Sequence, residues 1–146
     1  MIRLVNIIQR YDLPLMLLLA ILMTDQAYSQ HIDVSVHDPV MIQQDDTYYL
    51  FSTGKGIKVY ASTDMKQWKR LDPALKSIPD WVYDVVPDFR GSFWAPDIAY
   101  HNGTYYLYYS VSSFGRNTSA IGVATNTTLH PDDPNFEWVD QGKVVE

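Results

Sequence analysis

The sequence predicts an all-β protein assembled from repeated four-stranded units, the blades of a β-propeller. Three observations predict it. Thr47-Tyr48-Tyr49-Leu50-Phe51-Ser52-Thr53 recurs 57 residues later as Thr104-Tyr105-Tyr106-Leu107-Tyr108-Tyr109-Ser110. Each copy follows a short apolar run and a polar turn, and each is followed by two further strand-like runs. After residue 29 no stretch has the 3.6-residue apolar periodicity of an amphipathic helix.

The first element is a targeting segment. Arg3 and Arg10 flank a charged start, residues 13–23 are apolar apart from one proline, and Ala27-Tyr28-Ser29 offers small residues around a cut before Gln30. This is the grammar of a secretory signal. The apolar run falls short of the ~20 residues that a membrane span needs. The alternative is an uncleaved anchor or a buried helix. Residues 1–29 are read as a signal peptide and the domain as 30–146, with no membrane attachment after cleavage and a secreted or periplasmic destination.

The first blade, about residues 33–76, opens with Pro39-Val40-Met41-Ile42. The turn Gln44-Asp45-Asp46 leads into Thr47–Thr53, then come Ile57–Thr63 and a short outer run at Trp68-Lys69-Arg70-Leu71. In Tyr48–Phe51 the residues on both faces are apolar, so both faces call for cover. The second blade, about 94–144, opens with Asp97-Ile98-Ala99-Tyr100. It turns at His101-Asn102-Gly103, where Asn-Gly favours a tight hairpin. Ile121–Asn126 and Trp138-Val139-Asp140 complete it. A two-sheet sandwich also has short strands and frequent turns, but it does not explain why the second half copies the first. The link from Asp72 to Phe93 is either a packed surface loop or a functional one. Propellers have at least about four blades, so two blades predict that the chain is the N-terminal part of a larger protein.

Composition narrows the function classes. The net charge is −6 and no Lys/Arg run stands out, which argues against a nucleic-acid partner. With no cysteine there is no disulfide, thiolate metal site or cysteine nucleophile. The 11 tyrosines suit both β-structure and surfaces that stack on sugars. Asn102, Asn117 and Asn126 each head an Asn-x-Ser/Thr sequon that could accept a glycan.

Chemistry centres on Ser35-Val36-His37-Asp38-Pro39-Val40. Asp38 is either a turn-capping residue, as Asp before Pro often is, or a carboxylate held at the mouth of the propeller channel. Pro39 is expected to restrict Asp38 to extended geometry. In a true strand His37 would point to the opposite face, as a structural histidine or as one that orients the site. Asp97 stands by blade symmetry where Asp38 stands. Symmetry alone leaves it open as a candidate acid, a substrate-proximal residue or a structural one. No metal-ligand cluster is visible.

Taken in order, Val36-His37-Asp38-Pro39, Tyr49–Gly54, Gly91-Ser92-Phe93-Trp94-Ala95-Pro96-Asp97-Ile98 and Tyr108–Gly115 leading to Ser119–Gly122 resemble the family 43 glycoside hydrolases. Within that family the closest likeness is to the endo-1,5-α-L-arabinanases. The resemblance implies a five-bladed propeller, about the first two blades of which lie here. It implies a secreted, inverting hydrolase of α-1,5-linked arabinofuranosyl bonds in plant cell-wall arabinan or pectin side chains, monomeric at full length. Asp38 matches the general base. His37, Trp94, Asp97 and Phe114 are expected to bind substrate, Trp94 and Phe114 as aromatic walls, with core packing as the alternative for both. The acid and the carboxylate that tunes it belong to later motifs that this sequence lacks, so residues 30–146 alone are expected to be inactive. A calcium ion near the channel centre is possible, with ligands further along the chain. An exo-acting α-L-arabinofuranosidase or β-xylosidase of the same family, and a truncated glycan-binding product without activity, are the alternatives.

Overall fold

The computed structural model describes residues 34–146, so the segment read as a signal peptide lies outside the described residues. Two antiparallel sheets form the molecule. The first contains β1 (Val40–Gln44), β2 (Thr47–Ser52), β4 (Lys58–Ser62) and β5 (Lys69–Arg70), side by side in that order. The second contains β6 (Ser92–His101), β7 (Thr104–Ser112), β8 (Ser119–Asn126) and β9 (Val139–Val145). A two-residue strand, β3 (Gly54–Lys55), is added on the free side of β6. Each sheet is thus the up-and-down, four-stranded unit that the repeat predicts.

The repeat extends to the backbone. Asp45 and Asn102 lie 57 residues apart at the tips of the β1–β2 and β6–β7 hairpins, with φ of 51° and 48°. Asp and Asn are among the few L-residues that enter the left-handed region readily. In β2, Tyr49 and Phe51 are buried while Tyr48 and Leu50 are half-buried. In β7, Tyr105, Leu107, Tyr109 and Val111 are buried, and Tyr108 on the other face is exposed. Within the described residues, cover is therefore complete on one face of each strand rather than on both.

The buried faces meet. Phe51 packs edge-on against Trp138, with ring centroids 5.8 Å apart. The Tyr49 hydroxyl lies 2.8 Å from His130 Nδ1, and His130 Nε2 lies 2.9 Å from an Asp45 carboxylate oxygen. Leu129 N donates to Gln44 Oε1 at 2.6 Å. The loop after β8 therefore clamps the first hairpin.

Two elements depart from the sequence reading. The inner strand of the second sheet starts at Ser92, well before Asp97, because β3 pairs Gly54 with Phe93 and Lys55 with Ser92. The link between the sheets is packed and contains a one-turn helix, α1 (Trp81–Val85). Five residues are too few to display helical periodicity. Pro87 ends the turn by driving Val86 out of helical geometry, to φ −129° and ψ 80°. Ala74, Leu75, Val82, Val86 and Phe89 of this link are buried in the common core. Trp81 stacks on Tyr109 and donates to Asp140 Oδ2 at 3.1 Å. The Tyr109 hydroxyl donates to the other oxygen of Asp140, and burial pushes its pKa upward. Gly122 makes room for this stack: a Cβ there would lie 2.6 Å from both the Trp81 and Tyr109 rings.

Candidate active site

Asp38 sits in the bend just before β1, not in a strand. Its φ is 49°, so the extended geometry expected from Pro39 does not hold. The reason lies in its hydrogen bonds. Thr53 N donates to the carbonyl of His37 at 3.0 Å and clamps the chain just ahead of Asp38. The Thr53 hydroxyl donates to Asp38 Oδ2 at 2.8 Å, and His37 Nδ1 lies 2.7 Å from the same oxygen. Contacts that over-determine a residue can hold it in a sparsely populated conformation, and such residues cluster at functional sites. His37 consequently does not point away from Asp38; its ring and the carboxylate share one side.

Asp38 is open to solvent, with its side chain 40% exposed, and His37 is more so at 82%. The Thr53 hydroxyl, then the His37 ring, hold the Asp38 carboxyl below its ordinary pKa by hydrogen-bonding the charged form. Asp38 is therefore ionised at neutral pH, as a group that accepts a proton from water must be.

Thr53 joins this group to the second sheet. Its Oγ1 accepts from Ala95 N at 2.9 Å. Ala95 lies in a β-bulge of β6, between the pairs Trp94–Ser110 and Asp97–Tyr108. Its φ is 43°, unusual for alanine. Counting 57 residues from Asp38 arrives at Ala95, and counting from Pro39 arrives at Pro96. The counterpart of Asp38 in the second blade is thus Ala95. Asp97, which by blade symmetry looked like the twin, corresponds to Val40. Asp97 is exposed, and its Oδ1 accepts from Ile98 N at 2.9 Å. It is outside the Asp38–Thr53–Ala95 chain of hydrogen bonds.

Trp94 and Phe114 line one shallow cleft together with Arg90, Ser92 and Ser113. Trp94 is half-buried and Phe114 is 98% exposed, so among the described residues Phe114 is not packed into the core. The core aromatic of this stretch is Phe93, 1% exposed and packed against Phe89 and Tyr109. Trp94 adjoins Ala95 in the chain, which places the cleft beside the bulge that contacts Thr53. A larger cleft between the first sheet, the linker and the loop around Trp138 contains none of the candidate site residues.

Among the described residues there is no group of three or more His, Cys, Asp or Glu side chains that could hold a metal ion. Of the three sequons, Asn102 and Asn117 are exposed, whereas Asn126 is 3% exposed and its Oδ1 accepts from Thr128 N and Glu137 N. Asn126 is therefore closed to a glycan. The residue that sequence reasoning missed is Thr53. A signal existed, because Thr53 and Ser110 are hydroxyl residues at the same place in the repeat.

Residues 31–146 match the family described as Glycosyl hydrolases family 43. An extracellular exo-alpha-(1->5)-L-arabinofuranosidase of Cellvibrio japonicus is 55% identical over 113 residues, covering 77% of this chain and 33% of that protein. An extracellular endo-alpha-(1->5)-L-arabinanase of Bacillus subtilis is 41% identical over 114 residues, covering 75% of this chain and 34% of that protein. Among solved structures, an alpha-L-arabinanase of Cellvibrio cellulosa complexed with arabinohexaose is similar with a TM-score of 0.76 and 54% identity. That match covers 77% of this chain and 36% of the other. The chain spans about a third of the length of these relatives.

Proposed function

The chain belongs to glycosyl hydrolases family 43, and from that membership we propose that it serves a secreted enzyme hydrolysing α-1,5-linked L-arabinofuranosyl bonds of arabinan, with Asp38 as general base. The observation that carries the reading is Asp38 itself, ionised, solvent-facing and held by Thr53 and His37. The substrate class rests on relatives named for arabinan or arabinofuranoside cleavage, one of them seen with arabinohexaose. Secretion is supported by the two relatives named extracellular and by the signal-like residues 1–29. Pectin side chains are the natural source of such a polymer, and the full-length protein is expected to be monomeric.

The chemistry follows from inversion. Asp38 takes a proton from a water beneath the anomeric carbon while a carboxylic acid on the other side protonates the leaving oxygen. The two carboxyl groups lie about 6.5–9.5 Å apart to admit that water. The motifs for the acid and for the carboxylate that tunes it do not occur in this sequence, so residues 34–146 supply the base half of the pair. Trp94 and Phe114 offer aromatic faces to the C–H face of a sugar ring, contacts worth on the order of 1 kcal/mol each. His37 and Asp97 contribute polar edges. No step is assigned to calcium.

Two cutting modes are supported by different relatives: the 55% identical one is named exo-acting and the 41% identical one endo-acting. The test is a protein of the relatives' length, assayed on linear arabinan beside its Asp38→Ala variant. Activity that disappears in the variant supports the assignment, and equal activity in the two sinks it. Release of single sugars or of longer oligosaccharides decides exo or endo action, and NMR of the newly formed anomer decides inversion.

A further inference from the structure

We propose that Thr53 is a positioning residue for Asp38, carrying a one-directional hydrogen-bond relay from the second sheet that fixes which carboxylate oxygen faces water. The inference rests on the reading of Asp38 as the general base and deepens it.

The direction of the relay follows from donor counting. A backbone N–H can only donate, so at Ala95 the Thr53 hydroxyl must accept, over 2.9 Å. A hydroxyl has a single hydrogen, and the Thr53 hydrogen goes to Asp38 Oδ2 at 2.8 Å. His37 Nδ1, 2.7 Å away, donates to the same oxygen when it carries its proton. Oδ2 is thereby engaged by two donors. Oδ1 has no hydrogen-bond partner among the described residues and is the oxygen free to receive a proton from water. An acid proton on Oδ2 would meet the hydrogen of Thr53, so the relay favours the ionised form and steers any incoming proton to Oδ1.

The second sheet contributes by strain. Ala95 is held at φ 43° in the bulge, and this aims its N–H at Thr53 rather than along the β6 ladder. Position and ionisation of a residue at the head of one sheet are in this way set from the other. The groups packed on Asp38 are its neighbour His37, Thr53 from the end of β2 and, through Thr53, the amide of Ala95. Among these His37 is the one ionisable side chain, and it is unchanged in the variants below, so a difference between them reports on the hydroxyl.

The experiment compares Thr53→Val, which keeps the shape and removes the hydroxyl, with Thr53→Ser, which keeps the hydroxyl. Both are made in the protein of the relatives' length and assayed on linear arabinan across pH. In Thr53→Val, kcat is expected to fall about ten- to a hundredfold, the penalty for a misplaced reacting group, with KM little changed. The acid limb of the kcat/KM profile should move to higher pH as the carboxylate loses a hydrogen bond to its charged form. Thr53→Ser should recover most of kcat and return the limb. A Thr53→Val protein with unchanged kcat and acid limb overturns the proposal while the loss of activity in Asp38→Ala still upholds the base. So does a pair in which both variants melt earlier and lose activity equally without movement of the limb, since that is a packing role. Full activity in Asp38→Ala would remove the base assignment and the relay together.

Discussion

The two blades carry the same left-handed residue before a proline, in the bend ahead of β1 in one and in the bulge of β6 in the other, and only one of them carries a carboxylate there. Asp38-Pro39 and Ala95-Pro96 are 57 residues apart, each has a left-handed residue before a proline, and the φ values are 49° and 43°. At Asp38 the conformation is held by side-chain hydrogen bonds from Thr53 and His37. At Ala95 the side chain is a methyl group with nothing to hydrogen-bond, and the backbone N–H is what the conformation delivers. Backbone geometry is thus the property of the repeat, and chemistry is the property of the side chain placed on it. One copy presents an acceptor and the other supplies a donor to the residue that orients it.

Substitutions can break that comparison or sharpen it. The largest effect is expected from Asp38→Ala, with kcat on arabinan lower by about 10²–10⁴-fold, the range for a lost general base. Adding Ala95→Asp to Asp38→Ala should leave activity at the level of the single variant. A rescue would mean that the backbone position alone confers the role. The hairpin tips should separate next. Asp45→Gly loses the contact to His130 and should lower stability by under about 1 kcal/mol. Asn102→Gly, whose side chain bonds only the neighbouring His101, should be close to neutral. Chemical denaturation of the two variants checks this, and equal losses would deny the clamp between the sheets. Ala95→Gly should be neutral to modestly stabilising, because relief of about 1–2 kcal/mol of left-handed strain exceeds or matches about 0.5–1 kcal/mol of added chain entropy.

The pH dependence of Asp38 has a definite sign. Its folded pKa is lowered, so what its ionised form contributes to stability is present above its unfolded pKa and is lost as pH falls through the lower folded value. Carboxyl NMR titration should place its midpoint below 3.8, and the midpoint should rise in Thr53→Val.

Much of this was legible in the sequence, for reasons that are local. Hairpins announce themselves through turn residues such as Asn102-Gly103 and through the tyrosine-rich strands that follow, so both sheets and their order could be read. Asp38 stood out beside its proline. What escaped reading depends on distant partners. Gly54-Lys55 has no strand propensity, and β3 exists because Phe93 and Ser92 lie opposite. The left-handed turn at Asp38 depends on Thr53, 15 residues away. Asp97 was mistaken for the twin because acids are conspicuous, whereas the count that leads to Ala95 is not.

The seam between the sheets has a mechanical consequence. The chain leaves the first sheet at Ser52, and after Thr53 alone it is already paired to the second sheet at Gly54. A slide of one sheet past the other would have to shear that two-residue ladder, and a slip of one position would turn its side chains to the wrong face. Twisting about the seam would spare this ladder but break the contacts of Tyr49 with His130 and of Gln44 with Leu129. Asp38 and Ala95 both bond to Thr53 at this seam, so the two ends of the relay are held on the stretch of chain where the sheets are tied together.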